Sequence, residues 1–184
     1  MGYTHYFTTS GRSLTKDQAD GIVQNINKVF KQHKKIIQRE FDDPSPPSIG
    51  TSLNLNGKMY IGIWFNGKDE NGHETFALNT GVVELGYCKT ARKPYDIVVC
   101  KILFILKHYL GDNIEVKSDG FSSHQPPQNV KKYSVGNVVK LRDLDGTWGS
   151  AVRSINRMFG TKYKFIVGDV YGDNGRYFSY KLNK

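Results

Sequence analysis

The stretch IVVCKILFILKHYL, residues 97–110, constrains the chain more than any other segment. Its apolar residues cover most of a helix's circumference and are interrupted by Lys101, Lys107 and His108, so it reads as a helix buried inside a domain. It falls short of the roughly 20 apolar residues that a bilayer span requires. Pro94 suits the first helical position, and Asp96 places a carboxylate in the first turn, where the helix dipole favours it. Gly111 is the natural C-terminal stop.

The remaining pattern supplies the elements that cover such a helix. Residues 2–9, GYTHYFTT, alternate aromatic with small or polar groups, as a strand does. Thr15 and Gln18 have capping-box spacing, and Ala19, Ile22, Ile26, Val29 and Phe30 follow on one helical face. DDPSPPSIG is a connecting loop. Asn56-Gly57 between Leu53/Leu55 and Met59/Ile61 is a strong hairpin signal, and HETFALN and IEVKSDG read as further strands. The opening MGYTHYFTTS has neither the cationic start nor the apolar core of a signal peptide, and two cysteines are too few for a disulfide scaffold. Both point to a reducing cytoplasm and no membrane.

Charge divides the chain unevenly. Of the net +9, residues 1–125 contribute little, with 15 Lys/Arg against 13 Asp/Glu, whereas residues 126–184 hold 11 against 4. In that last third, Lys131, Lys132, Lys140, Arg142, Arg153, Arg157, Lys162, Lys164 and Arg176 are interleaved with Tyr133, Trp148, Tyr163, Tyr171 and Tyr177. Cations that track phosphates beside aromatics that stack are the footprint of a nucleic-acid surface. A basic face that only aids solubility is the alternative. GFSSHQPPQNVKK, about residues 120–132, is a linker by composition. Beyond it, several short strands and one helix, with Trp148, Val152, Ile155 and Phe159 at helical spacing, fit a small SH3-like barrel. The expected fold class is thus α+β: an antiparallel sheet on two helices over residues 1–120, a linker over 121–132, and a basic SH3-like domain over 133–184.

The segments MGYTHYF, GHETF, CKTARKPYD and HYLGDNIEVKSDG resemble those of a group of small proteins encoded by bacteriophages and other mobile elements. The resemblance covers roughly residues 1–120. The last third, opening with VGNVVKLRD, resembles an SH3-like module appended to phage proteins. The resemblance implies a phage origin and a life in the host bacterial cytoplasm, and it brings no reaction with it. Small accessory phage proteins often block host defence, which makes counter-defence the expected setting.

The same motifs would gather His5 and Tyr6 from the first strand, Lys89, Thr90, Arg92, Tyr95 and Asp96 from the head of the apolar helix, and Asp119 from the last strand before the linker. Free N–H groups at a helix start, with Lys89 and Arg92 beside them, suit a phosphate or carboxylate, and tyrosines could stack on a base. The bland alternative makes Asp96 a helix cap and His5 a satisfied strand histidine. His5 with Asp119 as base and orienter, or Cys88 as a nucleophile, would be needed for catalysis, and no motif fixes either, so no catalytic residue is assigned. His73-Glu74 lacks a second His, and His33, His108 and His124 have no partner at ligand spacing, so no metal or other cofactor is expected. KQHKK, at the end of the first helix, reads as a solvated face. The expected function is a non-enzymatic binding protein whose partner is nucleic acid, a host nucleoprotein or defence protein, or a nucleotide. The alternatives are a small enzyme or sequestering pocket for a nucleotide signal, and a protein–protein adaptor.

Overall fold

A computed structural model describes residues 3–120, 138–139, 146–171 and 177–183. These form an α+β structure of three antiparallel sheets and three helices. The first sheet has order β6-β1-β7, from Val83–Lys89, Thr4–Ser10 and Ile114–Ser118. Residues paired across an antiparallel ladder share a face. His5 pairs with Cys88 on one side and Ser118 on the other, so all three point inward, followed by Phe7 between Gly86 and Val116. The outward face carries Tyr6, Leu85 and Tyr87. Gly86 lacks a side chain for a plain reason: a Cβ there would lie 2.1 Å from the Phe7 ring.

The second sheet is centred on β4 (Met59–Gly67), flanked by β2 (Ile37–Gln38), β3 (Ser48–Leu53) and β5 (Phe76–Asn79). The expected hairpin is present with a wider turn than Asn56-Gly57 alone. Asn54 closes it by donating N–H to the Lys58 carbonyl (2.9 Å), while its side-chain Oδ1 accepts from the N–H of Asn56 and of Lys58. Gly57 supplies the left-handed step, at φ 69°. The third sheet joins β8 (Val138–Val139), β9 (Lys164–Tyr171) and β10 (Tyr177–Asn183) in the order β10-β9-β8.

Helix α1 (Lys16–His33) starts at the capping box, with Gln18 N–H on Thr15 Oγ1 and Thr15 N–H on Gln18 Oε1. Helix α2 (Asp96–Leu110) begins two residues after Pro94, since Pro94 and Tyr95 lie in a turn in which the Asp96 N–H donates to the Lys93 carbonyl at 2.9 Å; Ala91 and Arg92 before it are both at positive φ (49° and 59°). Every residue from Val98 to Leu106 is buried, so α2 is the axis of the molecule. One side meets the sheets and α1. Another is covered by α3 (Gly146–Phe159), whose Trp148, Ala151, Val152 and Ile155 belong to the same hydrophobic core. The expected linker over 121–132 lies outside the described residues, and α3 beyond it packs into the core of the segment before it. No helix among the described residues is long and apolar enough to cross a membrane.

Candidate functional site

Where β1, β7, α2 and α3 converge, the inward polar side chains form one buried chain of hydrogen bonds. Ser118 Oγ accepts N–H bonds from Trp148 Nε1 (3.0 Å) and Gly120 (3.0 Å), which fills both of its lone pairs. Its hydroxyl proton therefore goes to His5 Nδ1, 2.8 Å away. His5 then carries its own proton on Nε2 and donates it to Asp96 Oδ1 at 2.7 Å. Thr90 Oγ1 donates to the same oxygen at 2.5 Å. Asp96 Oδ2 is buried and makes no hydrogen bond with the described residues. Around this chain the rings of Tyr3 and Trp148 stand edge-on to His5, at 5.2 and 5.5 Å between centroids. Gly120 is required here, since a Cβ would sit 2.0 Å from Tyr3 Oη and 2.7 Å from Trp148 Cδ1.

The residues expected at the head of α2 divide between this interior and the surface. His5, Thr90 and Asp96 meet in the buried chain. Tyr95 is buried too, but points away, donating its hydroxyl to the Glu74 carbonyl at 2.7 Å. Burial pushes its phenol well above the ordinary range. Asp119 does not orient His5, whose two nitrogens are taken by Ser118 and Asp96. Its Oδ2 accepts instead from the Thr4 N–H at 2.9 Å. Tyr6 lies on the opposite, outward face of β1, paired in register with Tyr87 and Lys117. Lys89 is half-buried at the end of β6, its backbone N–H on Glu74 Oε2. Arg92 is exposed, with its guanidinium 4.0 Å from the centre of the Tyr3 ring. Cys88 is no nucleophile: burial pushes its thiol up to about 12, so it stays protonated at neutral pH.

The Ser118–His5–Asp96 connectivity resembles that of an acyl-transfer triad with the ring nitrogens exchanged. Its chemistry differs. Ser118 Oγ has no lone pair left for a reacting carbon and is buried behind Trp148. A metal fits no better, although the ligand atoms of His5, Asp96 and Cys100 lie within 4.8 Å of one another. A metal on Nε2 would force a proton onto Nδ1, which needs an acceptor opposite it. Ser118 Oγ, already holding two N–H donors, cannot be that acceptor. The arrangement is a latch: it ties two strands and two helices together through one buried chain of hydrogen bonds.

On the outside of α3, Arg153 and Arg157 lie four residues apart on one exposed face, and Lys162 and Lys164, also exposed, follow directly. Lys131, Lys132, Lys140, Arg142 and Arg176 lie outside the described residues. Sequence reasoning missed Ser118 and Gly120 as members of the buried chain, and placed Trp148 only among the aromatics of the basic segment and at helical spacing. No local signal marks a serine as the acceptor for an indole 30 residues away.

No family model matches the chain, and no curated protein or solved structure matches it.

Proposed function

We propose that this protein is a phage-encoded, non-enzymatic binding protein that counteracts a host defence system by occupying nucleic acid or a nucleoprotein effector. The observation that carries this reading is the basic face of α3 and the start of β9. Arg153, Arg157, Lys162 and Lys164 are all exposed, while the opposite side of the same helix is held in the core by Trp148. Cations on a fixed helix present charge at defined spacing, which favours phosphate tracking over simple solubility. In this reading β8, β9 and β10 belong to a small SH3-like barrel that extends the basic surface. Arg92, stacked on Tyr3, and Lys89 beside it supply a second, more specific anion contact. The host bacterial cytoplasm is the compartment this role requires.

The enzymatic alternative draws on the Ser118–His5–Asp96 connectivity, and the filled lone pairs of Ser118 weigh against it.

The test is fluorescence anisotropy of the full chain with a short single-stranded oligonucleotide across a salt series. The expected result is binding whose log–log salt slope falls by about 0.7 for each phosphate contact removed, read with Arg153→Gln and with Arg153→Gln/Lys162→Gln/Lys164→Gln. Binding without salt dependence, or a triple variant indistinguishable from wild type, would overturn the reading. Arg92→Ala tests the second contact separately, since unchanged partner binding would leave Arg92 a structural role only.

A further inference from the structure

Lys101, the cation in the middle of α2, is 7 % exposed, and no described carboxylate forms an ion pair with it. Its Nζ instead lies 3.0 Å from His33 Nε2, near the end of α1. An ammonium can only donate, so this contact requires a neutral His33 accepting through Nε2. Arg157 on α3 is the third member, close enough for its charge to lower the Lys101 pKa, after burial, which is the larger cause. Burial and then Lys101 hold His33 down at about 4. Lys101 and His33 thus meet from two helices, the Arg157 charge acts on Lys101 from a third, and no described acid pairs with Lys101. Lys31, Lys34 and Lys35, all exposed, flank His33 on the same helix end.

An unpaired buried ammonium beside another cation is costly, and well-folded chains rarely keep one without use. The missing partner is an anion. Lys101 and His33 contribute compact donors, and the Arg157 guanidinium contributes a planar fork that matches two oxygens of one phosphate. His33 is partly exposed and Arg157 exposed, so the cluster is open to solvent on one side. The carbonyl end of α1 opposes an anion with roughly half a charge. The three flanking lysines more than offset it.

We propose that Lys101, His33 and Arg157 form a phosphate-binding site, occupied by a phosphate group of a nucleic acid or by free phosphate. The site shares Arg157 with the basic face described above, and rests on that reading only for the source of its phosphate. Binding supplies the counter-charge for Lys101 and converts His33 from acceptor to protonated donor.

The experiment follows the His33 ring by NMR in the full chain, at constant ionic strength, against inorganic phosphate and separately against a short oligonucleotide. The expected result is a saturable shift of the His33 ring signals with a rise in its apparent pKa, absent with chloride, and weakened about tenfold or more by Lys101→Met. A shift with both probes assigns the site to phosphate of either source; a shift with the oligonucleotide alone assigns it to the backbone diester. If neither moves His33, or if Lys101→Met responds like wild type, the site is overturned, even where Arg153-dependent oligonucleotide binding persists. Lys101→Met removes a charge and keeps the apolar stem, so it preserves the fold.

Discussion

Two histidines in this molecule are solved in opposite ways. His5 is completely buried, and each ring nitrogen meets a group with the complementary need: a hydroxyl proton for Nδ1, a carboxylate oxygen for Nε2. His33 is only partly buried, yet its Nε2 faces the Lys101 ammonium at 3.0 Å. The first arrangement fills both ring nitrogens and leaves neither for a ligand. The second is incomplete as it stands. Burial alone therefore does not separate a structural polar group from a functional one; completeness of its partners does.

That contrast can be broken at several points. The largest effect is expected for Trp148→Ala, which removes a fully buried indole between β7 and α2 and a donor to Ser118; unfolding in urea should show a loss of about 3–5 kcal/mol. Asp96→Ala leaves the His5 and Thr90 donors without their acceptor and should cost about 2–3 kcal/mol in the same assay. Gly120→Ala forces a methyl against Tyr3 and Trp148 and should cost about 2 kcal/mol. At the other histidine the sign reverses: Lys101→Met should raise the stability by about 1–2 kcal/mol, seen as a higher melting temperature. Loss of stability in that variant would mean that Lys101 already has the partner it needs.

The smallest expected effect is a pH dependence. His33 is held down to about 4 from an ordinary value near 6.5, first by burial and then by Lys101. The unfolded chain therefore binds the proton more readily between those values. The stability from a neutral His33 is complete above about pH 6.5 and is lost as pH falls toward 4. Of the cations at this end, Lys31, Lys34, Lys35, Lys101 and Arg157, it is Lys101 that opposes the charging of His33. Chemical denaturation of His33→Gln across the window should show a flatter profile than wild type, and an equal slope would place the titration elsewhere.

The split between the two regions also marks what could be read from the sequence. Local signals held: the Thr15/Gln18 box starts α1, Gly111 stops α2, and the alternation in THYFTTS makes β1 with His5 and Phe7 inward. The hairpin was legible from Asn56-Gly57, but Asn54, two residues earlier, organises its turn through a side chain that no dipeptide rule includes. The buried polar pairings span far longer separations. His5 and Asp96 are 91 residues apart and Lys101 and His33 are 68 apart. From sequence, Asp119 stood as the partner of His5 and Asp96 as a helix cap; only the register of β1 with β7 shows that Ser118, and not Asp119, lies beside His5. KQHKK looked like a solvated run because four of its five side chains belong to common surface types. The one that matters, His33, is defined by a lysine on another helix.

Ser118 and Trp148 are 30 positions apart in the chain and are joined by one hydrogen bond, the Trp148 indole N–H on Ser118 Oγ at 3.0 Å. The entropy of closing a loop grows only with the logarithm of its length, about 0.6 kcal/mol for each doubling. The closure therefore depends far more on the two residues that make it than on how many lie between them. A serine and an indole hold together parts of the chain that no local signal connects.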